Sequence, residues 1–127
     1  VNVQQIFSTS QAFAALTKDG DVVTWGDPVC GGISRLVQDQ LVNVQQIYST
    51  DYAFAAVTKD GDVVTGGDEF GGGNSGSVQD QLVNVQRIYT TGEAFAALTN
   101  TGDVVTWGNE NAGGKLPTRK KRKLCQR

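Results

Sequence analysis

The run Ala12-Phe13-Ala14-Ala15-Leu16-Thr17-Lys18-Asp19-Gly20-Asp21-Val22-Val23-Thr24-Trp25-Gly26-Asp27 decides the fold. Two short apolar runs flank an Asp-Gly pair. Asp-Gly in that setting is a strong hairpin signal, because Asp and Gly tolerate the positive φ of a type I′ turn. Neither run alternates cleanly between apolar and polar. Residues 12–17 and 22–25 are apolar on both faces, as strands covered on both sides are. A helix is a poor reading: Val and Thr cluster, apolar spacing at three and four is missing, and Gly recurs.

Outward from this run, the chain repeats itself. Val1-Asn2-Val3-Gln4-Gln5-Ile6 returns at Val42 and Val83, and the Asp19 turn returns at Asp60 and, with Thr for Asp, at Thr101. The offset is 41 residues each time, and the first two copies match at 30 of 41 positions. Such self-similarity is the sequence signature of a repeat architecture, and its closeness implies recent duplication. The expected organisation is one β-propeller-like domain over residues 1–115, in copies 1–41, 42–82 and 83–115, followed by a disordered basic tail over 116–127.

Within each copy the segment equivalent to 44–49 supplies a further strand, and Gly31-Gly32, Gly72-Gly73 and Gly113-Gly114 mark a loop. Residues 77–82 are the weakest strand candidate and are expected at an outer edge. Three or four antiparallel strands per repeat, covered on both faces, suit stacked blades. A β-solenoid is the rival. The hairpin speaks against it, because solenoid strands pair between coils. The fold class expected is therefore all-β: three propeller-type blades forming a partial, open β-propeller.

The order Ala15-Leu16, Asp19-Gly20, Trp25-Gly26, Gly31-Gly32 resembles the repeat of the regulator of chromosome condensation family. Its counterparts are Ala56-Val57, Asp60-Gly61, Gly66-Gly67 and Gly72-Gly73, then Ala97-Leu98, Thr101-Gly102, Trp107-Gly108 and Gly113-Gly114. The resemblance covers nearly all of residues 1–115 and none of the tail. It implies propeller blades and, by analogy with the founding member, guanine-nucleotide exchange on a small GTPase. The chain departs from the pattern at Ala12, Ala53 and Ala94, where the family often has His, at Gly66, which replaces Trp, and in the loop, where Gly-Gln-Leu-Gly is not intact. The residues that serve exchange in the founding member therefore map onto nothing here. Propellers typically close with 4 to 8 blades, so three blades leave raw faces and strand edges that invite association. A piece of a longer array, an oligomeric ring or an open stack is expected.

Of 127 residues 39% are hydrophobic, and 16 are Gly against 2 Pro, a balance of short strands and turns. Residues 1–115 hold all 13 acids and five bases, a charge of −8, while the tail adds six bases and brings the chain to −2. Cys30 has Gly71 and Ala112 at its equivalent positions, and Cys125 lies in the tail. The two make neither a disulfide framework nor a metal site, which points to a reducing, intracellular compartment, cytoplasmic or nuclear. No apolar stretch approaches the length of a membrane span, so no membrane partner is expected. Residues 1–3 do not open a signal peptide. With no Met in the sequence, a fragment, a processed product or an excised piece is expected.

There is no His, which removes Ser-His-Asp, Cys-His and His-metal chemistry. Asp19 with Asp21, and Asp60 with Asp62, flank the hairpin glycines. They read as solvated turn formers rather than a cation site, because hard cations take about six oxygens from more positions. Residues 71–76 lack the Gly-Lys-Ser/Thr ending of a phosphate loop. Trp25 and Trp107, at strand ends, read as blade-to-blade packing. No catalytic, cofactor or metal residue is expected. The tail run Arg119-Lys120-Lys121-Arg122-Lys123 is like a short nuclear-import signal, and equally suits nucleic-acid phosphates or a solvated run without a role. The copies vary most in one loop: Pro28, Val29 and Cys30 against Glu69, Phe70 and Gly71, against Glu110, Asn111 and Ala112. Variation on an invariant frame is what a binding surface on a repeat protein shows, and drift in loops gives the same pattern. The functional expectation is a non-enzymatic protein-interaction scaffold. The alternatives are a guanine-nucleotide exchange factor with chromatin or nuclear association, and a truncated repeat fragment without independent function.

Overall fold

The computed structural model describes residues 2–27, 29, 40–68 and 71–114. Each repeat forms one antiparallel three-stranded sheet in meander order. The first holds β1 (Val3–Ser8), β2 (Ala12–Thr17) and β3 (Val22–Gly26). The second holds β4 (Val44–Ser49), β5 (Ala53–Thr58) and β6 (Val63–Gly67). The third holds β7 (Val85–Thr90), β8 (Ala94–Thr99) and β9 (Val104–Gly108). The register repeats with the sequence: Phe13 pairs with Trp25, Phe54 with Gly66, and Phe95 with Trp107. Each first strand carries the same irregularity, between Val3 and Gln5, Val44 and Gln46, and Val85 and Arg87.

The sheets stack face to face, so this is an open, partial propeller. One face of each blade looks forward to the next blade, and the other looks back. Between the first and second blades, forward-facing Ala12, Ala14, Leu16 and Val22 meet backward-facing Val44, Ile47, Phe54, Ala56 and Val64. Between the second and third, Ala53, Ala55, Val57 and Val63 meet Val85, Ile88, Phe95, Ala97, Val105 and Trp107. Small residues on one face admit the large ones of the other, and that complementarity sets the spacing of the stack. Among the described residues only the middle blade is covered on both faces, and all six residues of β5 are buried.

Two local expectations are corrected. The hairpin is not a type I′ turn: in each copy only Gly takes a left-handed φ, at Gly20 (+85°), Gly61 (+86°) and Gly102 (+91°). The Gly20 N–H donates to the Thr17 carbonyl at 3.1 Å, and the Thr17 N–H to the Asp21 carbonyl at 3.0 Å. This is a type I turn closed by a glycine bulge. The Thr17 hydroxyl supports it by accepting the N–H of Asp21 at 3.1 Å. Second, residues 77–82 are not an edge strand. Gly76–Gln81 is a 3₁₀ helix. The Gln79 side chain donates to the Val63 carbonyl (3.0 Å) and to Ser75 Oγ (2.8 Å), holding the segment to the edge of β6 without a backbone ladder. Val78 and buried Leu82 pack into the core between the second and third blades.

The hairpin glycines also join the blades. The Gly61 carbonyl accepts from the Val85 N–H at 3.0 Å, and a Cβ at Gly61 would lie 2.8 Å from Asn84 Cα. Asn84 itself turns left-handed (φ +52°) to begin the third blade, as Asn43 (φ +54°) does for the second. At Gly102, in the third blade, a Cβ would meet none of the described residues within 4 Å.

The missing indole of the second copy is a packing defect. Phe95 stacks on Trp107 with ring centroids 5.2 Å apart, but Phe54 has Gly66 in place of an indole at the paired position. A Cβ at Gly66 would meet nothing within 4 Å, and its backbone is not left-handed. Gly66→Trp is expected to raise unfolding stability by about 1–2 kcal/mol, from aromatic stacking and added burial. Urea unfolding of the two chains checks this, and a fall in midpoint would mean the slot is already closed.

Candidate interaction surface

Strand direction places the β1–β2, β4–β5 and β7–β8 turns at the same end of the blades as the loops that follow β3, β6 and β9. The backbone ties turn to loop in every copy. The N–H groups of Asp27, Asp68 and Asn109 donate to the carbonyls of Gln11, Tyr52 and Glu93, at 2.9, 3.1 and 2.9 Å. An invariant Thr begins each turn. Thr9, Thr50 and Thr91 each accept the N–H two residues on, at 3.3 to 3.4 Å. Buried Thr50 also donates to the Gly71 carbonyl at 2.6 Å, and Thr91 to that of Ala112 at 2.8 Å. These are turn-forming Thr bonds, and they fix the backbone whatever side chains follow.

The turns are also linked from blade to blade. The Ser10 N–H donates to the Asp51 carbonyl, and the Asp51 N–H to that of Gly92, both at 2.8 Å. The result is a continuous rim on a rigid frame. Its side chains differ at each blade: Ser10 and Gln11, Asp51 and Tyr52, Gly92 and Glu93. Tyr52 is exposed and covers buried Gly71.

Of the variable-loop residues, Val29 is 60% exposed and its N–H donates to Asp27 Oδ1 at 2.8 Å. Glu110 and Asn111 are exposed on a short 3₁₀ turn, Glu110–Ala112, capped by the Asn109 side chain. Asn109 Nδ2 reaches back to Glu93 Oε1 at 2.6 Å, so turn and loop form one surface in the third blade. Beside Glu110 a groove of about 580 Å³ runs between Asn74, Ser77, Val78 and Trp107. Pro28, Cys30, Glu69 and Phe70 lie outside the described residues, as do Arg119, Lys120, Lys121, Arg122 and Lys123. Sequence comparison of the copies missed the turn residues, although positions 10 and 11 vary as the loop does. The loop was legible as a run of changes, whereas two isolated changes carried no weight until the fold set them beside it.

The carboxylates of the hairpin turns are at the opposite end. Asp19, Asp21, Asp60 and Asp62 are exposed, and among the described residues no three His, Cys, Asp or Glu gather where a metal ion would be held. The two Trp residues have different surroundings. Trp107 is buried and its Nε1 donates to the Gly72 carbonyl of the preceding blade at 3.0 Å, as blade-to-blade packing requires. Trp25 stacks on Phe13 with centroids 5.4 Å apart but is 44% exposed, because none of the described sheets covers that face.

No family model matches the chain, and no curated protein sequence matches it. Solved structures do. Human WBSCR16 superposes with a TM-score of 0.62 at 23% identity, over 90% of this chain and 36% of that one. Yeast RCC1 (Prp20), solved with Kap60 bound, gives 0.60 at 19% identity, over 84% of this chain and 30% of that one. Prp20p from Saccharomyces cerevisiae, described with its binding properties to Gsp1p and histones, gives 0.56 at 21%, over 84% and 31%. The chain spans about a third of the length of these structures. The likeness is one of fold: the three sheets are built like blades of an RCC1-type β-propeller.

Proposed function

We propose that the chain is a non-enzymatic scaffold that recognises a protein partner through the rim where its variable turns and loops meet. The observation that carries this reading is the separation of frame from side chain. Thr9, Thr50 and Thr91 make the same turn bonds in every blade, while the residues beside them change from Ser-Gln to Asp-Tyr to Gly-Glu, all exposed except half-buried Glu93. A rigid backbone presenting varied side chains suits recognition. Covalent or acid–base chemistry has little to work with there: the sequence has no His, Asp51 and Glu110 are exposed rather than desolvated, and half-buried Glu93 accepts from the Asn109 amide.

The test compares capture by three chains. In the Tyr52→Ala/Glu110→Lys chain, retention of bound protein is expected to fall about tenfold, equivalent to about 1.4 kcal/mol. The Lys59→Ala/Asp62→Asn chain, changed at the opposite end, should capture as the parent does. Equal capture by all three, or none by any, would remove the rim reading.

Guanine-nucleotide exchange on a small GTPase is the second reading. It is favoured by the likeness to Prp20p, whose structure is described with Gsp1p binding, and by the basic tail, which would add chromatin or nuclear association. Fold alone does not carry function. Faster nucleotide release from a small GTPase in the presence of the chain selects exchange. Unchanged release together with rim-dependent capture selects the scaffold. Aggregation without capture selects a repeat fragment with no role of its own.

A further inference from the structure

The two end faces of the stack are the two halves of an interface the molecule already makes twice. The backward face of the first blade exposes Val3 (49%), Ile6 (56%), Phe13 (45%), Val23 (53%) and Trp25 (44%). The residues at the same five positions in the third blade are Val85, Ile88, Phe95, Val105 and Trp107, all at most 6% exposed, because the second blade covers them. At the other end, forward-facing Tyr89 (49%) and Val104 (45%) are exposed. Their equivalents in the first blade, Phe7 and Val22, and in the second, Tyr48 and Val63, pack against the blade that follows.

The backbone receptors on the forward end are formed and, among the described residues, uncovered. In the second blade Gly72 (φ +104°) seats the Phe95 ring so closely that a Cβ would be 2.5 Å from it, and its carbonyl receives the Trp107 indole. In the third blade Gly113 has the same backbone (φ +105°), yet a Cβ there would meet only Thr91 Cγ2, at 3.9 Å. Gly61 receives Asn84 and Val85 of the following blade, while Gly102 receives none of the described residues within 4 Å.

We propose that the forward face of the third blade docks the backward face of the first blade of a second copy of this chain. Phe13 and Trp25 of that copy sit on Gly113, and its Asn2-Val3 segment meets Gly102, repeating the contacts of the internal interfaces. A contact between different faces is heterologous, so it propagates until it closes. Two copies make six blades, within the range at which propellers close. Exposed apolar faces of this extent mark association sites, and here the residues that cover them are already specified by the internal interfaces.

The test is solution mass by light scattering after size exclusion of the full chain and two variants, with circular dichroism confirming the fold. Val23→Asp and Val104→Asp each place a charge on one end face, at a side chain already half exposed, so neither disturbs an internal interface. The parent is expected at twice its 13.5 kDa, with the mass falling to that of one chain in each variant. Mixing the two variants restores a two-chain species, because one unaltered forward face then meets one unaltered backward face. A parent that is monomeric at every concentration overturns the proposal, as does an oligomer that survives both substitutions. Failure of the mixture to associate overturns the head-to-tail arrangement.

Discussion

Phe95→Ala is expected to cost about 3–5 kcal/mol of folding stability, the usual range for truncating a buried aromatic. Phe95 is 1% exposed, stacks on Trp107 and rests on the backbone of Gly72 in the preceding blade. Removing the ring leaves a cavity that neither neighbour can fill: Trp107 is tethered by its indole bond to Gly72, and the Gly72 backbone lies in a fixed loop. Phe13→Ala, at the same position of the first repeat, is expected to cost under about 1 kcal/mol when the chain is dilute enough to be monomeric, since Phe13 is already 45% exposed. Phe54→Ala should fall between, because Phe54 is 7% exposed but has Gly66 in place of a stacking partner. Chemical unfolding of the three variants checks the order. Equal losses at Phe13 and Phe95 would mean that the blades do not stack as described.

In a chain dilute enough to be monomeric, Gly72→Ala is expected to destabilise by about 3 kcal/mol, and Gly113→Ala by about 1 kcal/mol. Both residues hold nearly the same left-handed backbone (φ +104° and +105°), so the conformational strain of an L residue is common to the two. The difference is steric. The new methyl at 72 would lie 2.5 Å from two ring carbons of Phe95, and that ring cannot retreat because Trp107 stacks beside it. Forcing a methyl into such a contact costs about 1–3 kcal/mol. At 113 the nearest atom is 3.9 Å away, an ordinary contact. Thermal or urea unfolding of the pair separates strain from overlap, and similar losses would remove the inter-blade contact at Gly72.

Both experiments compare residues that the repeat makes equivalent. The hairpins and the strands beside them were legible in the sequence, because Asp-Gly between apolar runs constrains only a few neighbouring residues. Details that depended on a side chain finding a more distant partner were not. The Thr17 hydroxyl accepts the Asp21 N–H within the bulged hairpin turn, and the Gln79 amide ties a 3₁₀ helix to the edge of β6 in place of the expected strand. The rim was half legible: its loop showed in the comparison of copies, while Ser10, Asp51, Tyr52 and Glu93 gained meaning only when the meander carried the turns to the same end.

Three copies of nearly one sequence made three sheets of one topology and one register, so the blade is determined by the repeat itself. Phe13, Phe54 and Phe95 share a residue type and a position in that blade, yet one is half exposed and another is buried to 1%. Trp25 and Trp107 differ in the same way, as do Gly102 and Gly61. Burial belongs to neighbours rather than to a residue, and a blade at the end of a stack lacks one neighbour. Which apolar face becomes core and which is left for a further partner was therefore decided only when the three sheets stacked.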